Sequence, residues 1–328
     1  MGCHNTVGVS VNTTIAQLDG WRLKALILSI IAAAGGYLAF SLWGGWQDVI
    51  DAFVHIGLLG TLITLLLSLV NYCLRFIRWQ IYLGKLGHRV AWLPSLRIYL
   101  SGFALTTTPG KAGEAFRGVL LKQRNVPFPA TFAALISERL SDLVAIVLLT
   151  LVGLSEYPQA RGMVLVGVVG IAVILICISS RTVLSYAHQW TSVRTGKLFK
   201  LLNQLTHLLR EARRCHTPSL LLLATLISVV SWGAEAVAFY LVLEWLGADI
   251  SFSFAIFVYA ISMLAGALSF LPGGLGGAEA IMISLLVLKG MTMPAAIAAT
   301  VFIRLATLWF AVLIGLLALY KSRKGEIV

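Results

Sequence analysis

The chain has 328 residues, 59% of them hydrophobic and 12% charged, where soluble domains run near about 45–50% and 25%. A water-soluble core of this size needs a charged surface. The 25 basic and 13 acidic residues sit in a few short stretches and do not supply one, so a soluble globular protein is excluded and the bilayer is the main solvent. The net charge of +12 comes from cations lying mostly between apolar segments, which is the signature of the positive-inside rule and of anionic head groups, not of nucleic acid. Four scattered cysteines and six unclustered histidines indicate neither a disulfide framework nor a metal site, and no cofactor is expected.

Residues 1–24 form a polar tail, and the apolar run Ala25–Trp43 that follows is long enough for a span, fitting a signal anchor better than a cleaved peptide. Further spans are predicted at Ile56–Leu74, Pro129–Leu154, Met163–Ser179, Leu220–Leu243 and Ala295–Tyr320, giving six in all, before a short tail at 321–328. Two other apolar regions are interrupted: Leu93–Lys122 at Pro109 and Gly110, and Phe252–Leu288 at Pro272, Gly273 and Gly274. The apolar helix after each break is about ten to fourteen residues, too short for a ~30 Å hydrocarbon core. Both regions therefore read as re-entrant helical hairpins. Between Met163–Ser179 and Leu220, the segment 181–218 carries Leu198, Leu201, Leu202, Leu205, Leu208 and Leu209 at helical spacing among basic residues. It reads as one amphipathic helix on the inner leaflet, with a soluble partner site as the alternative.

With both termini cytoplasmic and both hairpins re-entrant, Arg161 and Lys289 fall outside and Lys111, Arg139 and Arg304 fall at membrane depth, leaving 20 of the 25 cations on the cytoplasmic side. Asp48, Asp51, Glu156, Glu244 and Asp249 then decorate external loops. That asymmetry fixes the expected orientation.

An offset of 165 residues aligns Glu114–Leu143 with Glu279–Leu308 without a gap, pairing Glu114 with Glu279, Pro129 with Pro294 and Arg139 with Arg304. Upstream, "TPGKAGEA" faces "LPGGLGGAEA", and the run from Ser68 faces the run from Ser228. The result is one membrane domain over 25–320, with repeat 1 at about 56–154, a connecting span at 163–179, the amphipathic segment, and repeat 2 at about 220–320. One extra crossing separates the copies, so the second is inserted upside down. The fold class is thus an all-α polytopic membrane protein of about six spans and two broken hairpins in an inverted-topology repeat, an architecture of alternating-access transporters.

Each ionisable group at the membrane centre costs about 2.5–3.5 kcal/mol on insertion scales. The candidates are Arg75, Lys111, Glu114, Glu138, Arg139, Asp142, Glu235, Glu279 and Arg304. Arg139 and Asp142 share a helix face, Glu279 is the distant partner available to Arg304, and symmetry suggests Glu114 for Arg139, unless the pairs cross between halves. Such pairs could simply brace helices. The functional reading is that helix N-termini near Ala112 and Gly277 face one another at the midplane and, with Lys111, Arg139 and Arg304, form an anion-binding cavity for a lipid phosphate. Arg75, Glu114, Asp142, Glu235 and Glu279 complete the expected binding set, and Gly110, Gly113, Gly273, Gly274, Gly276 and Gly277 allow backbone approach.

The motifs "TTPGKAGEAFRGVLLK", "ISERLSDLVAIVLL", "RFIRW" and "LPGGLGGAEA" together resemble the flippase-like family named after the transmembrane region of lysylphosphatidylglycerol synthase, over roughly residues 20 to 322. The resemblance implies translocation of aminoacylated or other polar phospholipids, or of glycosylated polyprenyl lipids, across a prokaryotic cytoplasmic membrane. Because the sequence runs to Val328, it also implies a stand-alone member without the soluble aminoacyl-transfer domain. The rival readings are an integral-membrane transferase on a lipid-linked substrate, with Glu114 or Glu279 as base, and a membrane partner of a lipid-modifying enzyme docking through 181–218. No nucleophile or nucleotide-binding loop is recognisable to support the first, so no catalytic residue is assigned.

Overall fold

The computed structural model describes residues 28, 31, 35–37, 46–108, 112–193, 196–269 and 271–323, with the side chains at 112–115, 160, 163 and 321–323 outside that description. Every element among them is helical. The first, α1 (Trp46–Lys85), spans 40 residues but is broken at Gly57, whose φ of 66° and ψ of 178° are not helical. Only a residue without Cβ takes that conformation cheaply. Asp48 and Asp51, expected in a loop, therefore lie on a separate helical segment ahead of the break.

The first interrupted region forms α2 (Trp92–Ser101), a 3-10 turn at Gly102–Leu105 and α3 (Ala112–Lys122); its predicted break at Pro109 and Gly110, with Lys111, lies outside the described residues. α4 (Phe128–Val152) starts with Pro129 in its first turn, where the missing N–H is harmless. α5 (Arg161–Ser179) is followed after a 74° bend by α6 (Arg181–Ser192). The single amphipathic helix expected over 181–218 is in fact two, α6 and α7 (Lys197–Ala212), because Gly196 at φ 136° leaves helical geometry between them.

α8 (Pro218–Trp245) leads to the second interrupted region, which is α9 (Phe252–Leu268), a 3-10 turn at Pro272–Gly274 and α10 (Gly277–Leu288). The break falls where Pro272 and the left-handed Gly273 and Gly274 predict it. A Cβ on Gly274 would stand 3.0 Å from the Gly266 Cα, so the turn folds directly back on α9. α11 (Met293–Arg304) passes through a π-helical turn, Leu305–Trp309, into α12 (Phe310–Arg323).

Trp46–Lys85, Pro218–Trp245 and Met293–Tyr320 are long and apolar enough to cross a membrane, and α5 with α6 is so only as a bent pair. α4 has 25 residues, ample for a span, but carries Glu138, Arg139 and Asp142 in its middle. The predicted span Ala25–Trp43 lies mostly outside the described residues.

Polarity runs inside out. Leu58, Leu59, Leu62 and Leu66 of α1 and Leu222, Leu226 and Val230 of α8 are exposed, while Ser68, Asn71, Arg78, Ser137, Glu138, Ser228 and Ser231 are buried. Such a distribution is stable only where the surroundings are hydrocarbon and the interior satisfies its own polar groups.

Packing relations come in pairs. α1 lies along α8, and at their contact Asn71 donates to the Ser231 carbonyl over 2.9 Å, two positions that the sequence alignment superposes. α9 packs on α4 and α2 on α12; α8 packs on α4 and α11 on α1; α10 packs on α11 and α3 on α4. Single contacts follow suit: Tyr72 donates to the Thr307 carbonyl and Trp232 donates to Asp142, while the rings of Trp79 and Tyr99 lie 6.2 Å apart and those of Phe239 and Tyr259 5.8 Å apart.

Candidate functional site: a buried guanidinium and carboxylate cluster

The site begins with two short spacings. Arg75 and Arg78 are three apart on α1 and Glu138 and Asp142 four apart on α4, so each pair shares one helix face. Where α1, α4 and α8 meet, the faces engage: Asp142 accepts from Arg78 Nη1 at 2.7 Å, from Arg75 Nη2 at 3.2 Å and from Trp232 Nε1 at 3.0 Å. Arg139 Nη2 stands 3.7 Å away on the same carboxylate, at the expected i,i+3 spacing. Glu138 accepts from Arg117 Nη1 of α3 at 3.2 Å and has Arg78 Nη2 at 3.7 Å. Arg78 also donates to Ser228. Aromatic faces cover the cations, with Arg117 4.2 Å from the Tyr99 ring centroid and Arg75 5.3 Å from that of Trp232, a contact the ring quadrupole favours.

Four guanidiniums thus meet two carboxylates among the described side chains. Arg78 and Glu138 have no exposed side-chain surface, whereas Arg139 is 34% exposed. Nε of Arg75, Arg78 and Arg117 are buried without a hydrogen-bond acceptor among the described residues, while Arg78 Nη2 and Glu138 Oε1, each without a hydrogen bond, face one another at 3.7 Å. Cationic donors in excess of protein acceptors, on the inner side of a helix bundle, are suited to hold an oxyanion.

The second half carries a smaller group. Arg304 donates through Nε to Glu279 Oε1 at 2.6 Å and through Nη2 to the Gly273 carbonyl at 3.0 Å, while Glu279 Oε2 accepts from the Gly276 N–H at 2.7 Å. One carboxylate therefore caps α10 and ties the hairpin break to α11. Glu235 of α8 accepts from Tyr259 Oη of α9 at 2.6 Å.

Of the residues expected at the site, Arg75, Arg139 and Asp142 come together, and Glu279 and Arg304 form their predicted pair within one half instead of crossing between halves. Glu235 meets a tyrosine, not a cation. Gly273 contributes its carbonyl and Gly276 its N–H, and Gly277 opens α10 as expected. Gly113 and Glu114 fall in the first turn of α3, with the Glu114 side chain, like Lys111, Pro109 and Gly110, outside the described residues. Counting charges placed Arg78 and Arg117 with the cytoplasmic cations. Both are buried in the cluster, where the carboxylate pair on the neighbouring helix neutralises them. The signal available for Arg78 was the i,i+3 spacing of "RFIRW" against the i,i+4 spacing of "ERLSD"; Arg117 had none.

An apolar-surfaced helical bundle with an ionised interior is a multi-pass membrane protein. The chain belongs to the family described as the lysylphosphatidylglycerol synthase TM region, whose model matches residues 23–315. It is similar to a UPF0104 membrane protein of Pyrococcus horikoshii, with 23% identity over 310 residues covering 86% of this chain and 92% of that one. A UPF0104 membrane protein of Methanothermobacter thermautotrophicus is 23% identical over 319 residues, 90% and 93% of the two chains. A stretch of 100 residues, 30% of this chain and 14% of the other, is 38% identical to Glycosyltransferase AglD of Haloferax volcanii.

Proposed function

We propose that the protein is a lipid translocase of a prokaryotic cytoplasmic membrane, moving a lipid with an anionic, aminoacylated or glycosylated head group between leaflets. The observation that carries this reading is the set of buried guanidinium nitrogens in the α1/α3/α4 cluster, Nε of Arg75, Arg78 and Arg117, that have no hydrogen-bond acceptor among the described residues and suit a phosphate drawn into the bundle while its acyl chains stay in lipid. Arg139, the most exposed of the four, offers the entry point. The paired packing relations of the two halves support an inverted repeat, and two related hairpins supply gates of similar energy, so exchanging them needs no large net free-energy change.

Reconstituted into liposomes without nucleotide, the protein is expected to equilibrate a head-group-labelled phosphatidylglycerol or lysyl-phosphatidylglycerol between leaflets, read by leaflet-selective quenching. Arg139→Gln, at the part-exposed position, should slow this at least about tenfold, the effect of ~1.4 kcal/mol on a barrier. Protein-free rates in the wild type, or an unchanged rate in Arg139→Gln across the candidate lipids, would falsify the reading. The stretch shared with a glycosyltransferase favours group transfer to a lipid-linked substrate as the second reading. Against it, both oxygens of Glu279 are engaged by Arg304 and Gly276, which leaves that carboxylate poorly placed as a general base. A chemically altered head group after incubation would favour transfer, and an intact one translocation.

A further inference from the structure

A second cationic site lies away from the cluster, where the chain turns out of α5. α6 and α7 pack on each other as a hairpin, and α7 also packs on α4. From residue 181 to 218 there are seven basic side chains and one acid, Glu211. Between the two helices opens a cleft of about 810 Å³ lined by Arg181, Arg210, Arg213 and His207, with Thr182 and Ser185 hydroxyls on its α6 wall. Glu211 also lines it, but its carboxylate is bridged by Arg214 at 3.1 Å, so little negative charge faces the three arginines. Arg213 is held in place by donating from Nε to the Ser179 carbonyl at 3.2 Å.

The same hairpin exposes apolar side chains in helical register. Tyr186, Trp190 and Val193 follow i, i+4, i+7 at α6, and Leu198, Leu201 and Leu205 follow i, i+3, i+7 on α7. A tyrosine and a tryptophan beside a polar cleft are the side chains favoured at a head-group boundary. The 74° bend between α5 and α6 turns the hairpin away from the axis of α5, and exposed apolar stripes beside basic residues suit a bilayer surface.

We propose that the α6/α7 cleft is a docking site for the phosphate of an anionic phospholipid head group, with the exposed stripes seated in the same leaflet. Charge complementarity selects the occupant: three arginines line the cleft, and the adjoining apolar stripes suit the boundary where lipid phosphates lie. This site is separate from the buried cluster and does not rest on translocation. A protein that moves no lipid still docks one here.

The test is binding of spin-labelled phosphatidylglycerol against spin-labelled phosphatidylcholine to the full chain in phosphatidylcholine nanodiscs. The wild type should retain phosphatidylglycerol several-fold over phosphatidylcholine. The triple variant R181Q/R210Q/R213Q should lose that preference, and R210Q alone, at an exposed side chain, should lower it. A second triple variant, K85Q/R89Q/R161Q, removes the same charge from exposed positions outside the hairpin and should keep the preference. Equal loss in both triples would show a general charge effect and overturn the site. Inorganic phosphate that displaces the labelled lipid at millimolar levels in the wild type would make it a site for soluble anions, and the proposal would fail in that case too.

Discussion

A guanidinium inside a membrane protein is stable when its charge is neutralised and its N–H groups have acceptors, and Arg304 meets both conditions through Glu279 and the Gly273 carbonyl. Arg304→Ala strands Glu279 in a buried position and is expected to lower stability by about 3–5 kcal/mol, seen as a fall in the unfolding temperature of the purified protein. R304A/E279A should recover part of that loss, because no charge is left alone. Recovery of less than the error of the measurement would show that the Gly273 contact, not the ion pair, holds the hairpin. The Glu279 and Arg304 pairing was legible in the sequence because opposite charges are rare in such apolar runs. Arg78 and Arg117 were not, since a cation near the end of a span looks the same whether it faces water or turns inward.

Helices that pack on one another here depend on missing side chains at particular crossings. A Cβ on Gly315 would fall 2.2 Å from the Ala104 N, and one on Gly153 2.2 Å from the Ser253 carbonyl oxygen, so α12 rests on the turn after α2 and α4 rests on the start of α9. Gly315→Ala or Gly153→Ala should each cost about 1–3 kcal/mol, whereas Gly170→Ala, with open space around it, should leave thermal stability unchanged or raise it. The loop after α4 is tied to the same region. Glu156 accepts from Ser251 at 2.5 Å and from Ser253, and Lys289 Nζ lies 3.6 Å away. The two serine hydroxyls, and then Lys289, hold its carboxyl below the ordinary glutamate range. A depressed carboxylate pKa adds stability above the ordinary value and loses it as pH falls through the lowered one. The wild type should therefore exceed Glu156→Gln in unfolding temperature near neutrality, with the gap closing in acid; a gap constant with pH would assign the effect to packing. Pro272 with Gly273 and Gly274 gave the second hairpin break away in the sequence. The Gly57 break, the Gly196 break and the π turn at Leu305–Trp309 were hidden, because lone glycines are ordinary in membrane helices and a π turn has no composition of its own.

At the scale of the molecule, the two halves share their packing. In a chain with Cys3, Cys73, Cys177 and Cys215 replaced, single cysteines at Asn125 and at Lys289 should label from the cytoplasm and from outside respectively. Labelling of both from one face would overturn the inverted repeat and leave the paired contacts as coincidence. The helix-to-helix contacts α9 on α4 and α2 on α12 join halves, as does the loop pair of Lys289 with Glu156, yet the buried ion pairs among the described side chains do not: Arg117 meets Glu138 and Arg304 meets Glu279, 21 and 25 residues along the chain, and Arg78 and Asp142 both precede α5. That division sets an order for synthesis. When the ribosome has delivered only the first half, Glu138 and Asp142 already have arginine partners, while the faces of α2 and α4 still awaiting α12 and α9 can rest against lipid tails. The two buried carboxylates of the first half are thus compensated in the membrane before the second half arrives.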